Sequence, residues 1–191
     1  MLLLRILLCS LIVFLTNNLL LAQTHSQQEI DKVIATLPPC PKPSDDNFEK
    51  ICEYMDTKDH KEITKLLRDL ACINDNDSQL VKKAKMQKML TTFSADLYCT
   101  GEGFKQSVGK GDFLKFAIYR DYPVLIDHLV VHYQFNLNYL HPSDGNETLL
   151  DYLKEEIDLF IKIKNSEKKV KELRSIYAQL RAYGAKHFSE L

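Results

Sequence analysis

The stretch Gly111 to Leu153 reads GDFLKFAIYRDYPVLIDHLVVHYQFNLNYLHPSDGNETLLDYL. Two short apolar blocks, Phe113 to Ile118 and Val124 to Val131, each repeat at helical spacing. Asp121, Tyr122 and Pro123 leave room only for a tight turn between them. Pro123 suits the first turn of a helix, where a missing N–H costs nothing. Asn136 to Glu147 is rich in Asn, Asp, Ser, Pro and Gly and reads as a hairpin-like loop, with Asp144 and Gly145 as a structural turn. The helical pattern restarts at Thr148. Helix, turn, helix, polar loop and restart together predict an all-α chain of stacked antiparallel helix pairs.

These residues resemble the ankyrin repeat. The family pattern D-G-x-T-P-L-H-x-A, a turn, then V-V-x-x-L-L is echoed by Asp112 to Ala117, by Leu125 to Val130 and by the closing Asn136 to Asn138. It returns at Asp144 to Leu153, after a step of 36 residues from Asp112 to Thr148, against about 33 in the family. Leu180 to His187 resembles the close of a second repeat helix, with Gly184 as its left-handed cap. No T-P-L-H is present, and Asp121 stands where the family usually has Gly. The resemblance covers residues 101–191 and implies an ankyrin-like solenoid.

Outward from this core the same logic applies. Ser44 or Asp46 caps a helix through Phe48, Ile51, Cys52 and Met55, Thr57 to His60 turns the chain, and Ile63, Leu66, Leu67 and Leu70 mark a second helix. Ile51 and Leu114 are 63 residues apart, as are Leu66 and Leu129, so this pair reads as a degenerate first repeat with Tyr54 where the family has Ala. Leu80 to Leu97 traces an extra amphipathic helix with Lys82, Lys83, Lys85 and Lys88 on its wet side. Thr148 caps a stripe from Leu149 to Ile161, Asn165 and Ser166 break it, and Val170 to Leu180 forms the last stripe. Long charged terminal helices suit the end of an array.

Residues 1–22 read as an export leader: Arg5, an apolar run from Ile6 to Leu15, and a small residue, Ala22, before the expected cut. Asn17 and Asn18 hold that run well below the ~20 residues a bilayer span needs, so no stable membrane insertion is expected after cleavage. The leader's ending resembles a bacterial one, which places the protein in the periplasm or outside the cell. Residues 23–46 read as a proline-rich tether with room for a turn or two of helix around Ile30, Val33 and Ile34, residues 47–100 as a disulfide-stapled helical part and residues 101–191 as the ankyrin-like part. Four cysteines follow the leader, Cys40, Cys52, Cys72 and Cys99; an even number in an exported chain predicts two disulfides, with all three pairings open.

With 25 basic and 26 acidic residues the chain offers no global field for nucleic acid or anionic lipid. Gly101 to Gly111 is no phosphate loop, because Gly103 and Gly109 enclose five residues rather than four and Gly111 follows Lys110. Asn76-Asp-Ser and Asn146-Glu-Thr are formal glycosylation sequons, relevant only in a eukaryotic host. His128 and His132 stand four apart on one helix, a spacing at which imidazoles share zinc, but H-L-V-V-H lacks the glutamate of H-E-x-x-H. No nucleophile sits in a strand–turn–helix context. The expectation is therefore a non-enzymatic module with no cofactor and no metal, whose partner is another protein. The resemblance implies contact through loop tips and first-helix residues: Tyr119, Arg120, Tyr139, His141, Asn146 and Glu147. A toxin-neutralising immunity protein or an accessory to an envelope enzyme fits that class. The competing expectations are a zinc-dependent hydrolase using His128 and His132, and a structural envelope protein.

Overall fold

The computed structural model describes residues 25–93, 113–140 and 147–191. Among these residues the protein is all-α, with eight helices and no strand. They are α1 (Gln27–Thr36), α2 (Asp45–Thr57), α3 (His60–Leu70), α4 (Gln79–Phe93), α5 (Phe113–Tyr119), α6 (Pro123–Tyr133), α7 (Leu149–Ile161) and α8 (Glu167–Ala182), followed by a 3-10 turn, Phe188–Glu190. No helix among them is long and apolar enough to cross a membrane.

Three antiparallel pairs, α2–α3, α5–α6 and α7–α8, share one punctuation. Each has one left-handed residue in its turn, Lys58, Asp121 and Asn165, and one closing its second helix, Cys72, Gln134 and Gly184. At four of these sites the same two hydrogen bonds stop the helix. The residue after the left-handed one donates back five positions (Asp59 to Tyr54, Ile73 to Arg68, Tyr122 to Ala117, Ala185 to Leu180), and the left-handed N–H donates back three. Helix starts are equally explicit. Ser44 and Asp59 cap α2 and α3, Pro123 opens α6, and Thr148 forms a capping box with Asp151 on α7.

The apolar stripes close over one core. Leu114, Ala117, Leu129 and Leu150 all lie in it, together with Ile51, Ile63 and Leu67 of the first pair and Leu173 of the last. The first helices α5 and α7 pack on each other. On the second helices, Gln179 of α8 donates to Asp127 of α6 at 2.7 Å, and the rings of His60 on α3 and His128 on α6 stand 5.0 Å apart. Along the turns, Arg120 Nε lies 3.0 Å from Asp56 Oδ1, an ion pair without hydrogen-bond alignment. Tyr122 bonds His60 at 2.9 Å, and Asp121 pairs with Lys169.

The N-terminal half departs from its reading in two respects. The turn or two of helix allowed around Ile30, Val33 and Ile34 is a longer helix, α1, which packs along α4 with Ile30 fully buried. In consequence the wet side assigned to α4 is corrected. Flanked by α1 on one side and by α3 and α6 on others, α4 leaves its lysines little open solvent. Lys83 is only 5% exposed. Lys82 donates to Asp75 O, Lys85 to Cys72 O and to the Asp77 carboxylate, and Lys88 to Leu37 O at the end of α1. Long aliphatic stems bury themselves while the ammonium groups reach carbonyls, and at the α1 terminus the charge also meets the negative end of the helix dipole.

A disulfide joins Cys40 to Cys72, fixing the proline segment against the end of α3. Cys52 is disulfide-bonded as well. The leader, Cys99, Gly101 to Gly111, and the Asp144–Gly145 turn lie outside the described residues.

Candidate functional site

An open groove of about 690 Å³ lies where α4, the end of α6 and the segment after α8 meet. Its geometry comes from three residues with amide or ammonium heads. Gln134 takes the left-handed conformation that ends α6, which turns its side chain back toward α4. Its Oε1 accepts from Lys83 Nζ and from His25 N, and its Nε2 donates to His25 O at 3.4 Å. Asn138 closes the opposite rim, donating to Gly184 O at 3.1 Å and accepting from Lys186 N at 2.8 Å. Burial holds the Lys83 ammonium below its ordinary pKa. Exposed Val131 and Tyr183 add apolar surface to the mouth.

His132 belongs to this groove and also to a histidine row. Its ring lies 4.5 Å from that of His128, which lies 5.0 Å from that of His60. His60 Nδ1 shares a proton with the Tyr122 hydroxyl at 2.9 Å. Burial, reinforced by His132 and then His60, lowers His128 to about 4, so it is neutral at physiological pH. Sequence reading found His128 and His132 but not His60, whose approach depends on the start of α3 meeting the side of α6. The arrangement is a set of ring contacts. Among the described residues no group of three or more His, Cys, Asp or Glu side chains is disposed to hold a metal ion.

This row has a measurable consequence. His128 titrates at about 4 in the folded chain and near 6.5 when unfolded, so below 6.5 the unfolded state takes up a proton that the folded state refuses. Stability is therefore complete above pH 6.5 and falls as pH drops toward 4. Discounted for partial solvent exposure, the loss is about 2 kcal/mol. Urea unfolding across that interval should show the slope, and His128→Gln should flatten it.

The residues expected to meet a partner occupy distinct settings. Tyr119 and Arg120 lie together at the end of α5, half-buried, with the guanidinium 5.0 Å from the Phe116 ring and 5.7 Å from the Tyr119 ring. Tyr139 donates its hydroxyl to Thr91 O at 2.6 Å, anchoring the loop after α6 onto α4. Glu147 pairs at 2.5 Å with Lys115, which is 1% exposed, so it neutralises a buried charge. His141 and Asn146 lie outside the described residues. Lys83, Gln134 and Asn138 were missed as site residues. Only the isolated amides of the Q-F-N-L-N run could have signalled the last two. No family model, no curated protein and no solved structure matches this chain.

Proposed function

We propose that the chain is a short ankyrin-like solenoid, exported and disulfide-stapled, that works by binding another protein. The observation that carries this reading is the row of ties between successive turns, Asp56 to Arg120, His60 to Tyr122 and Asp121 to Lys169. Neighbouring turns tied in chain order are what side-by-side stacking of helix pairs requires. Such stacking leaves turn tips and first-helix ends on the surface, where their chemistry varies without disturbing the core. Tyr119 and Arg120 are the contact residues of choice, because both lie at such an end and both are of the types that anchor interfaces. Glu147 and Tyr139 support the frame that presents them. The Cys40–Cys72 bridge favours an oxidising compartment, in keeping with the leader. An inhibitor or immunity protein, or an accessory to an envelope enzyme, is the role this chemistry fits. The zinc-hydrolase reading has less behind it, since the imidazoles adjoin one another without forming a described ligand set.

A photo-crosslinking residue at position 119, compared with one at exposed Lys32 on α1, tests the surface in envelope extract. The expected result is one protein adduct from position 119 and none from position 32. Its affinity should fall by about tenfold or more in Tyr119→Ala/Arg120→Ala while the helical circular dichroism is unchanged. Equal retention of the partner by the folded double variant would remove these residues from the interface.

A further inference from the structure

Large apolar side chains are left in water at one turn in particular. Leu159, Ile161 and Ile163 are 44%, 53% and 48% exposed, and they fall within five residues at the junction of α7 and α8. Turns ordinarily carry Asn, Gly, Ser or Asp, so exposed isoleucines at positions 161 and 163 have no local reason. The sequence interleaves them with cations, Ile161-Lys162-Ile163-Lys164, and an open groove of about 360 Å³ continues from the two isoleucines past Val170 to Lys171 and Arg174. From Leu159 to Arg174 six cations face two acids, Glu167 and Glu172, in a chain whose overall charge is −1. Lys169 pairs with Asp121 and Lys168 with Glu172, whereas the described residues give Lys162, Lys164, Lys171 and Arg174 no ion pair. The first half of α7 and its approach are more acidic, with Glu147, Asp151, Glu155 and Glu156, of which Glu147 is matched by Lys115 and Asp151 by His187. The cations gathered at the tip make it locally positive, a complement to an anionic surface.

From this we infer that the α7–α8 tip is a docking site for the surface of an anionic phospholipid bilayer. Ile161 and Ile163 enter the boundary between headgroups and acyl chains, and Lys162, Lys164, Lys171 and Arg174 meet the lipid phosphates. The composition favours a bilayer over an acidic protein. Protein interfaces are depleted in lysine at their centres, whereas lysine stems alternating with apolar side chains suit a fluid surface into which the stems extend. Docking of this kind is peripheral and is separate from the protein-binding reading of Tyr119 and Arg120.

The chain contains no tryptophan, so Ile163→Trp supplies a reporter at the tip alone, insensitive to what any other segment does. With vesicles of phosphatidylglycerol and phosphatidylcholine the emission should shift to the blue and be quenched by lipids brominated on the acyl chain. Pure phosphatidylcholine should leave it unchanged, and added salt should reverse the shift. Adding Lys162→Glu and Lys164→Glu should reduce partitioning by more than about tenfold. A tryptophan at exposed Val131 on α6 should not respond. An unshifted Ile163→Trp spectrum on anionic vesicles overturns the proposal. So does a shift that survives charge reversal, or one produced only by an acidic polypeptide. Circular dichroism of each variant identifies a folding failure, which exposed positions should not cause.

Discussion

Replacing Glu147 by alanine is expected to lower the unfolding free energy by about 3–5 kcal/mol. The reason is the partner it leaves behind. Lys115 is 1% exposed on α5, its ammonium 2.5 Å from Glu147 and 5.9 Å from the centre of the Tyr152 ring. Taking away the carboxylate removes the counter-charge of a buried ammonium, and an under-compensated buried charge costs more than the pair contributes. The double replacement Lys115→Met/Glu147→Leu should recover most of the loss, since an apolar pair of similar volume often does as well as a buried ion pair. Urea denaturation of the three proteins measures both effects. A loss below about 1 kcal/mol for Glu147→Ala would mean that water or its remaining contacts compensate the Lys115 charge. The result also governs binding studies, because a Glu147 substitution alone would weaken any partner through unfolding.

The second large effect lies at Cys40–Cys72. The bridge spans 32 positions, a loop for which the chain-entropy estimate gives roughly 3–4 kcal/mol. Cys40→Ala/Cys72→Ala should therefore lower the thermal midpoint by about 10 °C. The double substitution is the cleaner experiment, because a reductant would also open the disulfide of Cys52. Scanning calorimetry of the variant beside the parent decides the matter. A midpoint within about 2 °C would show that Ile30 and the α1–α4 contact alone fix the N-terminal segment.

What sequence made visible depended on how local each cause was. The turn at Asp121 to Pro123, the Thr148 cap, the break at Asn165 and the left-handed Gly184 are set by neighbours a few positions away, and each is found where it was expected. Helical spacing put Leu114, Ala117, Leu129 and Leu150 on apolar stripes, and all four lie in one core. Lys83 was misplaced because a periodicity argument assumes one neighbour, and α4 has more. The same blindness hid His60, Lys115–Glu147 and Gln134, whose surroundings are assembled from residues 51 positions apart in the case of Lys83 and Gln134 and 32 in that of Lys115 and Glu147. Tyr119 and Arg120 were legible as a neighbouring pair, but their aromatic and acidic company was not.

Asp121 occupies a conformation that glycine adopts freely and that costs other residues roughly 1–2 kcal/mol. Glycine there would relax the backbone but carry no carboxylate, and Lys169 would lose its counterpart across the gap between two hairpins. A consensus-style Asp121→Gly exchange thus trades a comfortable corner for a lost spacer. The residue sits in a left-handed corner and carries the carboxylate that links the second and third hairpins through Lys169.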